Sequence, residues 1–166
     1  MRKAERERIE KDDTINAIVL SLEKEFYYWY IPGNVPSSKN NKSPMPIYKG
    51  SRTGKRYIVS CSITEHPNSK IYKETKGGLY YDDGLEFRMK TENKPKPLEV
   101  GFFFINNTSH KFDIINKMQI VQDLMVKHGW IDDDNADELI PFFPKINGDY
   151  YLTDPKWAGV IILVRK

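Results

Sequence analysis

The hydrophobic and polar positions of the chain follow two different periods, which together predict an α+β fold. Apolar residues recur at helical spacing in residues 1–23 and again in residues 113–128, and Gly129 follows the second segment where a helix-ending glycine is expected. Residues 69–91 are also predicted to be helical, with a break at Gly77–Gly78. These segments supply the helical part of the fold.

Short apolar runs rich in aromatic and β-branched residues predict the strands. They comprise residues 25–31, 57–60, 98–105 and 158–164. The last run is apolar on both faces, which is typical of a buried strand. A loop is expected at residues 32–46, which are rich in turn-forming residues. The pattern predicts a mixed β-sheet packed with helices in one domain of residues 24–166, preceded by an N-terminal helical extension of residues 1–23.

Composition narrows the class of protein. Hydrophobic residues make up 39% of the chain, which is enough for a core, and no run approaches the ~20 apolar residues of a membrane span. The charged start leads into an apolar run that is too short for a signal peptide. Cys61 is the only cysteine, which excludes an internal disulfide and a cysteine-rich zinc site, and we expect it to be buried. We therefore expect a cytoplasmic protein with no membrane partner.

Charge is distributed unevenly, although the net charge is only +3. Residues 39–56 contain basic residues and no acid, namely Lys39, Lys42, Lys49, Arg52, Lys55 and Arg56. Residues 132–138 contain acids and no base, namely Asp132, Asp133, Asp134, Asp137 and Glu138. A basic, Ser/Asn-rich loop is suited to a phosphate backbone. Each run is equally typical of a solvated surface, so the charges alone leave both interpretations open.

The predicted helix of residues 113–128 begins with a candidate metal ligand. Asp113 is a good N-cap, and this structural role needs no chemistry. The helix would rise ~22 Å and the following segment can extend back by ~20 Å, so Asp134 reaches Asp113 only if the chain doubles back beside the helix. Otherwise the two carboxylates act in separate places, or a partner subunit brings them together. Converging carboxylates repel unless a hard cation such as Mg²⁺ or Mn²⁺ neutralises them.

A projection at ~100° per residue gives the same helix an apolar and a polar face. The apolar arc is expected to face the core and comprises Ile114, Met118, Val121, Leu124 and Met125. The polar arc comprises Asn116, Gln119, Gln122, Asp123 and Lys127. This helix is therefore predicted to pack on the sheet along one side only.

A motif across this helix resembles the RusA-like Holliday junction resolvases. That family carries D-x-D-N-x-x-K, a helix with a further Asp, a Gly and a closing Asp-Asp pair, and DIINKMQIVQDLMVKHGWIDDDN follows this frame without a gap. Asp113, Asn116 and Asp123 take the first three of these positions, and Gly129 and Asp133–Asp134 take the last two. The segment YWYIPGNVPSSKNNK is similar to the first strand of the family and its Ser/Lys/Asn-rich loop.

The resemblance implies a RusA-like fold and a Mg²⁺-dependent endodeoxyribonuclease that resolves four-way DNA junctions as a homodimer. Of the family's catalytic set of three aspartates and a lysine, only Asp113 and Asp134 carry over. We expect Asp133 and Asn116 to complete the catalytic set and Asp133 to be the third metal ligand, with Asp132 or Asp137 as alternatives. The resemblance also implies DNA contacts from a set of basic and amide side chains, namely Lys39, Asn40, Asn41, Lys42, Lys111, Lys117 and Gln119.

Two positions depart from the family pattern. Ile115 stands where the family has its second acidic residue, and Gln119 stands where it has a lysine. Lys111 or Lys117 could supply the missing positive charge from a neighbouring position. The alternative is a weakened or inactive protein that binds branched DNA or serves as an assembly component. A third interpretation is an unrelated α+β protein with a solvated acidic loop.

Overall fold

The computed structural model describes residues 3–37, 43–50, 53–64 and 66–166. Within these ranges the chain forms four α-helices and seven β-strands, which confirms the predicted α+β class. In chain order they are α1 (Lys3–Glu10), α2 (Asp13–Leu22), β1 (Phe26–Pro32), β2 (Ser43–Gly50), β3 (Arg56–Thr64), α3 (Pro67–Thr91), β4 (Leu98–Asn106), α4 (Ile114–Lys127), β5 (Leu139–Phe142), β6 (Tyr151–Thr153) and β7 (Gly159–Arg165).

Five strands form one mixed sheet. In the order β1-β7-β4 neighbouring strands are antiparallel, whereas β5 and β6 both run parallel to β4 along its other edge. β5 pairs with the first half of β4, beginning at Leu98, and β6 pairs with its last residues, up to Asn106. Because α4 connects the parallel strands β4 and β5, it runs back from the end of β4 to its beginning. This direction fixes where the two ends of α4 lie.

Both faces of the sheet are buried. Phe102 and Phe104 of β4 belong to a core shared with α3 and α4, whereas Phe103 and Ile105 belong to a second core shared with α1 and α2. Adjacent residues of a strand point to opposite faces, so this division follows from the strand period. The helices of the N-terminal segment therefore cover one face of the sheet, and α3 and α4 cover the other.

The N-terminal segment forms two helices rather than the single predicted one. They are separated at Asp12, whose Oδ1 accepts hydrogen bonds from the backbone N–H groups of Thr14 and Ile15. Trp157 donates its Nε1–H to Oδ2 of Asp12 at 2.9 Å. Asp12 thus starts the second helix and anchors it to the chain just before β7, while Ile9 of α1 packs into the same core.

The predicted break at Gly77–Gly78 is wrong, because α3 continues through it without interruption. Gly77 and Gly84 are buried where α3 packs against the end of α4. A Cβ at Gly84 would lie 3.0 Å from Cδ1 of Trp130 and 3.1 Å from the carbonyl oxygen of His128. The glycines allow a close approach of the two segments, and this packing outweighs their low helix propensity.

β2 and β3 form a separate two-stranded antiparallel hairpin. The loop predicted for residues 32–46 is too long, since β2 begins at Ser43. The strand predicted at residues 57–60 is confirmed as the centre of the longer β3. Cys61 lies in β3, but its side chain falls outside the described part of the molecule, so its burial stays a prediction.

The remaining sequence predictions are correct for the long elements and miss the short ones. The strands predicted at residues 25–31, 98–105 and 158–164 and the helix at 113–128 are confirmed to within one residue at each end. β5 and β6 were not predicted, because four and three residues are too few to show a period. Among the described helices, none combines the length and apolar character that a membrane crossing requires.

Candidate functional site

α4 begins beyond the carboxyl end of β4, where Asp113 caps the helix. Oδ1 of Asp113 accepts hydrogen bonds from the backbone N–H groups of Ile115 and Asn116, at 3.0 and 3.2 Å. The side-chain Nδ2 of Asn116 donates to Oδ2 of Asp113 at 3.0 Å. The predicted N-cap role of Asp113 is confirmed. The carboxylate is thereby held in one orientation, although the residue itself is exposed.

Ser37 ties the loop after β1 to this cap. Its Oγ accepts a hydrogen bond from the backbone N–H of Asp113 at 2.9 Å and donates one to the backbone carbonyl of Asp113 at 3.1 Å. The chain therefore enters residues 38–42 directly beside the Asp113 cap. Four predicted DNA contacts fall in that segment and lie outside the described residues, namely Lys39, Asn40, Asn41 and Lys42.

Lys117 points into the protein rather than towards solvent. It is 4% exposed, and its ammonium group donates hydrogen bonds to Oδ1 of Asn106 and Oδ1 of Asn34. The same ammonium lies 4.6 Å from the ring centre of Phe112. Burial lowers the pKa of Lys117 to about 8. Contrary to the sequence prediction, Lys117 does not present its charge on the surface that a phosphate would reach, because the amide oxygens hold it inside.

The other predicted side chains at this end differ in accessibility. Lys111 is exposed and Gln119 is half-buried. Ile115, at the position of the second acidic residue of the family, is 44% exposed and offers no oxygen ligand. Asn116 directs its amide N–H at Asp113, so its role here is to orient the carboxylate.

The polar face of α4 is narrower than predicted. Asn116 and Gln122 are buried, at 8% and 5% exposure, because α4 is packed on more than its sheet-facing side. Asp123 forms an ion pair with Lys73 of α3, with 3.1 Å between Oδ2 and Nζ. The aspartate in the middle of the motif therefore joins two helices, which is a structural role.

Two cavities adjoin the start of α4. The smaller, of ≈ 110 Å³, contains Lys117 and extends to Ser37 and Asn106. The larger, of ≈ 550 Å³, is lined by His110, Lys111 and mostly apolar or aromatic side chains, namely Phe112, Ile114, Phe143, Tyr150 and Tyr151. Phe112 meets Tyr151 edge to face with ring centres 4.9 Å apart. An aromatic cleft with a cation at its side thus opens next to Asp113.

Two of the acidic residues after α4, Asp132 and Asp133, have structural partners of their own. Asp132 forms ion pairs with Arg88 at the end of α3, at 3.1 Å, and with Lys96 before β4, at 3.5 Å. Oδ1 of Asp133 accepts a hydrogen bond from the backbone N–H of Asp134 at 2.8 Å, and Oδ2 accepts one from Nδ2 of Asn135 at 2.9 Å. This segment is a hydrogen-bonded turn at the beginning of β4 and β5.

The structure does not bring Asp113 and Asp134 together within one chain. Asp113 follows the end of β4, whereas Asp132, two residues from Asp134, contacts Lys96 just before the beginning of β4. The 14 residues of α4, ~21 Å long at ~1.5 Å per residue, separate the two positions. The chain enters β5 instead of doubling back beside α4. Within the described ranges, no group of three His, Cys, Asp or Glu side chains is arranged to hold a metal ion.

Comparison with known proteins leaves the motif without independent support. No protein-family model matches the chain, and no curated protein matches it. The resemblance of residues 113–135 to the RusA-like family therefore stays a prediction. The bond of Ser37 to Asp113 and the position of Tyr151 in the cleft were not predicted from the sequence, because both depend on contacts between distant segments.

Proposed function

We propose that this protein is a Mg²⁺-dependent endodeoxyribonuclease that cuts branched DNA, with Asp113 at the centre of its site. The observation that supports this most is the Asp113 cap. An oriented, exposed carboxylate lies close to Lys111 and the aromatic cleft. The backbone of Asp113 is bound by Ser37, which the basic segment Lys39–Lys42 follows in sequence. A basic side chain beside a fixed carboxylate suits the binding of a phosphodiester and a cation together.

The donor set fits a divalent cation only in part within one chain. Each oxygen of a carboxylate accepts about two hydrogen bonds or ligands. Oδ1 of Asp113 already accepts two hydrogen bonds, whereas Oδ2 accepts one and keeps a lone pair for a cation. The next candidates, Asp133 and Asp134, lie at the far end of α4. A cation bound beside a phosphate activates water and stabilises the leaving oxygen. Asp113 would hold it together with Asp133 and Asp134 of a second copy of the chain.

A two-fold homodimer is the assembly that makes this arrangement possible. In an isologous dimer the start of one α4 can meet the end of the other, and the same contact is made twice. Each dimer then has two equivalent sites, as paired nicks on opposite strands of a junction require. Within each site Asn116 orients the Asp113 carboxylate, and Ser37 holds the backbone of Asp113. Lys111 contributes positive charge to the phosphate.

The decisive experiment is cleavage of a labelled four-way junction with Mg²⁺ or Mn²⁺. The unmutated protein should cut, while Asp113→Asn and Asp134→Asn should not. Asp132→Asn serves as the matched control, because Asp132 already pairs with Arg88 and Lys96. Robust cutting by both Asp113→Asn and Asp134→Asn would refute the site.

The exposed Ile115 favours a second candidate, a non-catalytic protein that binds branched DNA or serves as an assembly component. An apolar side chain that is 44% exposed, in the first turn of α4, weakens a cation site. This candidate predicts salt-dependent junction binding without cutting under any divalent metal. Ile115→Asp combined with Gln119→Lys then tests for a degraded site, since cutting gained by the double variant would show that only these positions were missing.

A further inference from the structure

The β2–β3 hairpin stands apart from both hydrophobic cores. Every residue from Ile47 to Gly50 and from Thr53 to Ser60 is exposed, and none of them belongs to the described core clusters. Tyr48 and Ile58, which are directly paired, are 55% and 56% exposed. An isolated two-stranded hairpin is marginally stable in water, so this one is suited to gaining stability from a partner.

Charge indicates the chemistry of that partner. From Lys39 to Thr64 the sequence contains six basic residues and no acid. Tyr48 pairs with Ile58, and Lys49 pairs with Tyr57 in the next position. Because side chains alternate along a strand, one face carries Tyr48 and Ile58 and the other carries Lys49 and Tyr57. The end of the hairpin adds Arg56. Basic side chains and aromatic rings are therefore interleaved, as in protein surfaces that bind nucleic acid.

The hairpin starts and ends near the Asp113 end of the molecule. Its first strand follows the segment that leaves Ser37, which is hydrogen-bonded to Asp113. Its second strand leads to His66, the N-cap of α3, and α3 passes close to the loop after β1 where Gly33 approaches Lys76. The eight residues of β2 span ~26 Å at ~3.3 Å per residue, which corresponds to about eight base pairs at ~3.4 Å each.

We propose that the β2–β3 hairpin is a DNA-binding ribbon that lies in the major groove of one duplex arm beside the cut site. A two-stranded ribbon fits the ~12 Å width of that groove. Lys49 and Arg56 contact phosphates, and the exposed tyrosines pack against sugars and base edges. The hairpin binds double-stranded DNA and does not recognise the branch point. Its position beside a cut site rests on the proposed function, whereas duplex binding itself does not.

The experiment measures binding of the full chain to a fluorescent duplex and to a four-way junction without divalent metal. Lys49→Ala combined with Arg56→Ala should weaken binding to both DNAs by about tenfold or more, and the slope of log affinity against log salt should become shallower by about 2. Lys11→Ala combined with Lys24→Ala removes the same charge from exposed positions in the α1–α2 layer and should change neither quantity. All four side chains are exposed, so the variants should fold.

Three outcomes would refute the proposal that the hairpin binds DNA. The first is unchanged affinity and salt slope in the hairpin variant, and the second is an equal loss in the control variant. The third concerns the variant that combines Tyr48→Ser with Ile58→Ser. If it alters the oligomeric state and leaves DNA affinity unchanged, the hairpin pairs with a second copy of the chain instead of DNA. If the hairpin variant loses duplex binding but the unmutated protein cuts no junction, the proposed nuclease is refuted and the ribbon stands.

Discussion

The two ends of α4 both carry aspartates, but the surroundings of these aspartates differ. At the end of the helix, Asp132 is paired with Arg88 and Lys96, and Asp133 accepts hydrogen bonds within its own turn. At the start, Asp113 is held by Asn116 and by backbone N–H groups, next to Lys111 and an aromatic cleft.

This difference shows that acidic residues in one motif need not belong to one site. At the end of α4, Asp132 joins α3 to the segment before β4, and Asp133 stabilises a turn. At the start of α4, the oriented carboxylate of Asp113 lies on the surface. The proposed nuclease site is therefore centred on Asp113. The acids at the other end can take part only from a second copy.

The largest effect is expected from Asp113→Asn. Asparagine caps a helix as well as aspartate does, so the free energy of unfolding should change by less than about 0.5 kcal/mol. Junction cutting should fall by on the order of 10²–10³-fold, because charge stabilisation at the reacting phosphate is lost. Asp132→Asn should show the opposite pattern, with cutting preserved and stability lowered by at most about 1 kcal/mol. Rate assays and denaturant unfolding on the same samples measure both quantities, and similar cutting by the two variants would contradict the comparison.

The packing at the end of α4 can be tested with two glycines of α3. Gly84→Ala should lower the free energy of unfolding by about 1–3 kcal/mol, since its Cβ would lie 3.0 Å from Trp130. Gly78→Ala is the matched control, because no atom lies within 4 Å of its Cβ, and it should stabilise the helix by about 0.5–1 kcal/mol. Urea unfolding of both variants measures this. Equal effects would mean that α3 does not approach α4 closely.

The buried Lys117 gives the start of α4 a characteristic pH dependence. Its pKa is about 8 in the folded protein and 10.5 ordinarily, so between these values the unfolded chain binds more protons. The free energy of unfolding should therefore rise as pH increases from about 8 towards 10. Lys117→Met should lack this rise, which urea unfolding at several pH values would reveal. If the free energy of unfolding depends on pH in the same way in the unmutated protein and in Lys117→Met, Lys117 is solvated.

Much of the fold could be predicted from the local pattern of hydrophobic and polar residues, but the arrangement of the candidate site around the Asp113 cap could not. β4, β7 and α4 are long and strongly periodic, so their positions follow from the sequence to within one residue. The first part of β2 was predicted to be a loop, because Pro44 and Pro46 are typical of loops and none of the described side chains of the hairpin is buried. α3 was predicted to break at Gly77, since its contact with His128 is not visible locally.

The same limit applies to the aspartates. The spacing from Asp113 to Asp134 is identical whether the chain doubles back or enters a new strand. Only the pairing of β5 with the first half of β4 decides between these, and that pairing is a long-range contact. The bond from Ser37 to Asp113 is equally distant in sequence. The cap at Asp113 was predictable because it depends on its own helix alone.

The most direct test of a site shared between two copies is complementation. Asp113→Asn chains and Asp134→Asn chains, each inactive alone, are mixed under conditions that allow subunits to exchange, and nicking of a four-way junction is measured. If Asp113 of one copy acts with Asp134 of the other, half of the dimers are mixed and one of their two sites is intact, so about a quarter of the unmutated nicking rate should return. If no nicking returns although the subunits exchange, the two aspartates do not act across copies, and the assignment of Asp113 and Asp134 to a shared site is wrong.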